Sequence, residues 1–93
     1  AVELHTGTYA HHPDDPAPRR ALDEGAALAA SLGLAVHAGH GLTRDNVGPI
    51  AAIPECEELN IGHHLVGRAL FEGLAGVVRG MREAMDAARA PLL

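Results

Sequence analysis

Apolar and polar residues alternate over Val2-Glu3-Leu4-His5 and then meet Thr6-Gly7. This period of two predicts a short, half-buried strand. Residues 9–18 hold two histidines, two aspartates and three prolines, so a loop is expected there. Asp15 before Pro16 is a helix start, because Asp accepts from free N–H groups and Pro at the first position has none to satisfy. The helix is predicted to run to about residue 32, with Ala21, Leu22, Leu28, Ala29 and Leu32 on one broad face. Gly33 then suits the C′ position, where φ is positive.

Residues 34–38 form a second apolar run, and Gly39-His40-Gly41-Leu42 is its exit loop. A short helix is expected from Asn46 as N-cap, with Pro49 in its first turn and Ile50 and Ile53 on its buried side. Pro54 stops it, and residues 55–58 read as a polar connection into a third strand at 59–61. After Gly62-His63, residues 64–71 predict a short helical turn. Residues 72–89 predict a long helix, since Leu74, Val77, Val78, Met81, Met85 and Ala88 recur at three- and four-residue steps.

The order is therefore β-α-β-α-β-α, with parallel strands joined by right-handed crossovers. Three parallel strands have two open edges and too little sheet for a covered core. The pattern predicts part of a larger α/β barrel or wound sheet, not a complete domain, and a chain that opens on a strand predicts something preceding it.

Composition narrows the function. The chain has 93 residues, 47% of them hydrophobic, and Tyr9 and Phe71 are its only aromatics, so the core is aliphatic. A net charge of −5 supplies no basic patch for a nucleic-acid backbone. Cys56 is alone, which fits a reducing cytoplasm. No apolar run approaches the ~20 residues of a membrane span.

Two strands end in a Gly-His step: Gly39-His40-Gly41 and Gly62-His63-His64. If the strands are parallel neighbours, both steps face one site at their carboxyl ends. His40 is a candidate proton donor or acceptor near neutral pH, or else a turn histidine bonded to backbone. The peptide N–H groups at Gly62-His63 suit a phosphate, or else Gly62 only serves the turn. Glu3, near the end of the first strand, is either an acid/base group or a solvent-facing carboxylate. Arg68 either reaches a phosphate or ties a carboxylate.

Seven histidines raise the question of a metal, but His37 and His40 are three apart, and no HExxH or paired Cys/His spacing is present. A zinc-dependent hydrolase is the least supported alternative. His11 and His12 read as solvated, and Cys56 as a bystander thiol with no base beside it.

The segments VELHTGTYA (2–10), AGHGLTRDNVGPIAAIPE (38–55) and ELNIGHHLVGRAL (58–70) closely resemble the C-terminal third of the bacterial pyridoxine 5′-phosphate synthases. AGHGL, IAAIPE and ELNIGH in this order are far more specific than any one alone. The resemblance implies the last three β/α units of a TIM (β/α)8 barrel, with residues 1–93 its C-terminal part. It implies a cytoplasmic homo-oligomer, an octamer in the family, and no metal or organic cofactor. It implies condensation of 3-amino-2-oxopropyl phosphate with 1-deoxy-D-xylulose 5-phosphate to pyridoxine 5′-phosphate, releasing phosphate and water. His40 then matches the proton donor. Gly41, Gly62 and His63 match binders of the amino-ketone phosphate, and Glu3 matches a carboxylate near the active site. The family's other acid/base groups lie on earlier strands, so the isolated chain is expected to be inactive. The alternative is a non-catalytic phosphate-binding or assembly module, partnered by the missing N-terminal barrel segment.

Overall fold

A computed structural model describes residues 1–92; for His63, His64 and Leu92 it describes the backbone alone. Three strands, β1 (Val2–His5), β2 (Val36–Gly39) and β3 (Cys56–Asn60), form one parallel sheet in the order β1-β2-β3. Between β1 and β2 lie α1 (Gly7–His11) and α2 (Pro16–Ser31). Helix α3 (Val47–Ala51) joins β2 to β3, and α4 (His63–Glu72) and α5 (Leu74–Arg89) follow, ending in a 3-10 turn at Ala90–Leu92. The predicted α/β order and parallel sheet are present. Among the described residues, no helix is long and apolar enough to cross a membrane.

Helix α2 starts as the sequence predicts. Asp15 Oδ1 accepts from the Ala17 N–H at 3.0 Å, and Pro16 occupies the first position. Its buried face is Leu22, Ala26 and Ala29, whereas Leu28 and Leu32 are exposed. Small side chains at four- and three-residue steps bring this helix close to the sheet, and Leu28 lies about 100° around the helix from Ala29. Gly33 takes φ +78°. The Leu34 N–H then bonds back to Ala29 O, so Leu34 stays outside the sheet and β2 begins at Val36.

Three further boundaries differ from the sequence pattern. Within the stretch expected as loop, α1 buries Tyr9, whose hydroxyl donates to Asn46 O at 2.7 Å; a long-range contact orders a segment of turn-forming composition. Strand β3 starts at Cys56, before the polar pair Glu57-Glu58. A register shift places Val36 opposite Cys56 and His37 opposite Glu58. The extra residue lets Cys56 and Leu59 both reach the core, three positions apart, which hides the alternation. The last predicted helix begins later, because Gly73 at φ +79° ends α4 and begins α5.

The core lies on one side of the sheet. Val36 and Ala38 are buried there with Val47, Ile50, Ile53, Leu22, Ala26 and Met81. Val77 and Met81 are the buried residues of α5, and Leu74 and Val78 remain exposed. The end of α5 is tied down by Arg89, whose Nη1 donates to Ala51 O, Ile53 O and Cys56 O at 3.0, 3.2 and 2.9 Å. Its Nη2 donates to Pro54 O at 3.2 Å. One guanidinium thus donates to four carbonyls from the end of α3 to the start of β3.

Candidate active site at the carboxyl ends of the strands

The face of the sheet opposite the core is polar. In register, Glu3 stands beside His37, and His37 beside Glu58; one step further along, His5, Gly39 and Asn60 stand side by side. Side chains two apart on a strand share a face, so these form two successive polar rows across all three strands. His37 Nδ1 lies 3.2 Å from Glu58 Oε2. The upper row is where the strands end and the loops begin.

His40 follows directly on β2. It is exposed, and it is the one non-glycine residue with positive φ, at +99°, among those described. Gly41 continues at φ +73°. A side chain in this region is strained by about 1–2 kcal/mol. The surroundings hold it there. Thr6, fully buried, donates its backbone N–H to Gly39 O at 2.9 Å and its hydroxyl to His40 O at 2.5 Å. Asn46 Nδ2 donates to Gly41 O at 3.2 Å, and Asn46 Oδ1 accepts from the Thr43 N–H at 2.7 Å. Asn46 precedes α3 as expected, but its side chain clamps the His40 loop and makes no bond to the helix. Tyr9 in turn holds Asn46 through its hydroxyl, and burial pushes the phenol pKa up, with Arg19 opposing the shift.

Glu3 lies against this exit. A Cβ on Gly39 would stand 2.9 Å from Glu3 Oε1 and 2.8 Å from Asn60 O, so only glycine fits between the carboxylate and β3. The Glu3 carboxylate and the His40 imidazole are thereby brought to the same strand end. The two rings that meet face to face are His5 and His40, with centroids 4.3 Å apart.

Two residues past β3, Gly62 is the N-cap of α4 at φ −125°, and no side chain caps the helix there. Among the described residues, nothing lies within 4 Å of a Cβ placed on it. Backbone N–H groups at such a start lack intrahelical partners and favour an anion. The side chain of His63 lies outside the described residues; its backbone begins α4.

Other candidates fall away from this cluster. Arg68 Nη2 donates to Glu72 Oε1 at 2.8 Å one helical turn on, the carboxylate tie that was one of its two expected uses. Cys56 is buried, and desolvation raises its pKa, which makes the thiol a poor nucleophile. His11 and His12 are exposed at the end of α1. Among the described residues, no group of three or more His, Cys, Asp or Glu side chains is placed to hold a metal ion.

Sequence reasoning isolated His40, Gly41, Gly62 and Glu3, but missed Thr6, Tyr9 and Asn46. Their effect passes through loop carbonyls, which leave no periodic or spacing signal. The one available hint was that Thr6-Gly7 ends the first strand just as Gly-His ends the others.

Comparison with known proteins shows the family. The family model described as Pyridoxal phosphate biosynthesis protein PdxJ matches residues 1–87. A pyridoxine 5′-phosphate synthase of Cereibacter sphaeroides is 57% identical over 94 residues, covering 95% of this chain and 37% of that protein. Synthases of the same name from Ruegeria pomeroyi and Zymomonas mobilis are 57% and 53% identical over 96% of this chain. The chain spans 38% and 36% of their lengths. With nearly all of its residues matched, the chain belongs to the family of the pyridoxal phosphate biosynthesis protein PdxJ.

Proposed function

We propose that these 93 residues supply the last three β/α units of a (β/α)8 barrel that makes pyridoxine 5′-phosphate. The substrates are 3-amino-2-oxopropyl phosphate and 1-deoxy-D-xylulose 5-phosphate, and phosphate and water leave as the ring closes. His40 is the proton donor, since an imidazole can deliver a proton near neutral pH. Gly41, Gly62 and His63 hold the amino-ketone phosphate on backbone N–H groups, and Glu3 orients or exchanges protons with the reacting groups. No residue of the site calls for a metal or an organic cofactor.

The single observation that carries this reading is His40 pinned at φ +99° on the central strand's exit, with the Glu3 carboxylate against the preceding Gly39. Such strand ends are where barrel enzymes place their chemistry, with phosphate sites after the last two strands. The open edges of β1 and β3 are covered by the remaining barrel strands, and the complete protein self-associates in the cytoplasm. By itself the chain lacks the other acid/base groups and is inactive.

The test is His40→Ala in the complete synthase carrying this segment. Turnover should fall about 10²-fold or more with substrate binding kept; unchanged kcat removes His40 from the mechanism. The uncapped start of α4 supports a second reading, a phosphate-binding or assembly module. That reading requires phosphate binding by the segment and no reaction when the complementary barrel segment is added.

A further inference from the structure

His5 closes β1 directly beside Gly39, so its ring reaches the level at which β2 gives way to His40. The two imidazoles stack with centroids 4.3 Å apart and planes 26° apart. The Gly7 N–H donates to His5 Nδ1 at 3.3 Å. A ring nitrogen that accepts a hydrogen bond presents its lone pair, so this bond turns the Nδ1 edge of His5 toward Gly7 and fixes the ring's orientation.

The glycine that makes this bond is itself fitted to the pair. A Cβ on Gly7 would stand 2.6 Å from His5 Cε1 and 2.9 Å from His40 Cδ2. Both rings therefore crowd the same backbone position, and only glycine leaves room for them. The preceding residue, Thr6 in the same turn, fixes the His40 carbonyl. One short turn after β1 thus controls both the backbone and the ring of the residue after β2.

We propose that His5 is a positioning residue for His40: it sets that ring's orientation by stacking and is itself held by the Gly7 N–H bond. The proposal rests on His40 being the proton donor. Glu3, His37 and Glu58 share the sheet face with the pair: His37 pairs with Glu58 at 3.2 Å, and the Glu3 carboxylate lies against Gly39.

The test uses the complete synthase carrying this segment, with four variants and two readouts. His5→Ala should lower kcat about 10- to 100-fold, the cost of a misplaced catalytic group, with KM for both substrates within about twofold, as for an interaction made only in the transition state. His5→Phe keeps a flat ring and should recover most of kcat. Gly7→Ala keeps both imidazoles but parts them, and should lose kcat to a similar extent. In long-range proton–nitrogen spectra the His40 ring signals should move in His5→Ala. Full turnover in His5→Ala beside an inactive His40→Ala would overturn the proposal alone, as would unmoved His40 signals. Full turnover in His40→Ala would overturn the donor assignment and the proposal with it.

Discussion

The hydroxyl of buried Thr6 donates to the backbone carbonyl of His40 at 2.5 Å, joining the exit of β1 to the exit of β2. The same residue's N–H bonds to Gly39 O, so two successive peptide groups of the β2 exit hang on one threonine. The positive φ of His40 has a local cost, and this contact is one of the forces that offset it.

Replacing that hydroxyl should therefore uncouple stability from turnover. Thr6→Val keeps the volume and removes the donor. It should destabilise by about 1 kcal/mol, the net worth of a typical hydrogen bond. In the complete synthase kcat should fall about tenfold or more, as expected when a reacting group is displaced. Thr6→Ser keeps the hydroxyl and should restore most of the rate. Steady-state kinetics beside urea unfolding decide it; equal rates in Thr6→Val and the parent would remove Thr6 from the support of His40.

The two glycines proposed to hold phosphate should answer differently to alanine. Gly41 has φ +73°, and a Cβ there would stand 2.8 Å from the Cβ of Ala10. Gly41→Ala should cost about 1–2 kcal/mol from the backbone conformation alone, with the clash adding to it. Gly62 has φ −125°, and among the described residues nothing lies within 4 Å of its Cβ position. Gly62→Ala should leave the unfolding midpoint unchanged. If a phosphate approaches the Gly62 backbone, KM for the amino-ketone substrate rises nonetheless. An unchanged KM would take Gly62 out of the phosphate site.

Arg89 should prove a stability residue with no part in the chemistry. Its guanidinium spans four carbonyls between α3 and β3. Arg89→Ala leaves those groups without their charged donor and should cost about 2–3 kcal/mol. Lysine, a point donor without the planar fork, should recover only part of it. Urea midpoints measure the loss, and kcat at a temperature where both proteins are folded should be unchanged.

Tyr9 makes a pH prediction whose sign follows from its burial. Its phenol is raised above the ordinary value of 10.0, mainly by desolvation. Below the unfolded value both states hold the proton and the contribution is fully present. Between the unfolded and folded values the unfolded state binds fewer protons, so stability falls as pH rises. It is lost as pH passes through the folded value. In the complete synthase carrying this segment, the phenolate absorbance that Tyr9→Phe removes should appear later in an alkaline titration of folded protein than of protein in urea. Cys56 is shifted in the same direction, so Tyr9→Phe separates the two contributions to the unfolding midpoint. A phenol titrating like the unfolded one would contradict its burial against the Asn46 loop.

Local pattern by itself determined a good deal here. Alternation over residues 2–5 predicted β1, and Asp15-Pro16 and Gly33 predicted both ends of α2. Those are signals one turn long, in which a side chain or a missing N–H acts on its own backbone. Gly39-His40 also marked the end of β2, whereas Gly62-His63 marks the start of α4 two residues past the end of β3 at Asn60. The quoted motifs carried the family.

Only the tertiary structure decided the rest. Strand β3 begins at Cys56 because a bulge against Val36 turns a non-alternating segment inward. Helix α1 exists within a proline- and histidine-rich stretch because Tyr9 is buried and bonded to Asn46. The Glu3–His37–Glu58 row depends on register between strands far apart in sequence. So does the contact of His5 with His40: the two residues meet because parallel pairing sets Gly39 beside His5, and a sequence records the residues of such a pair but not their register.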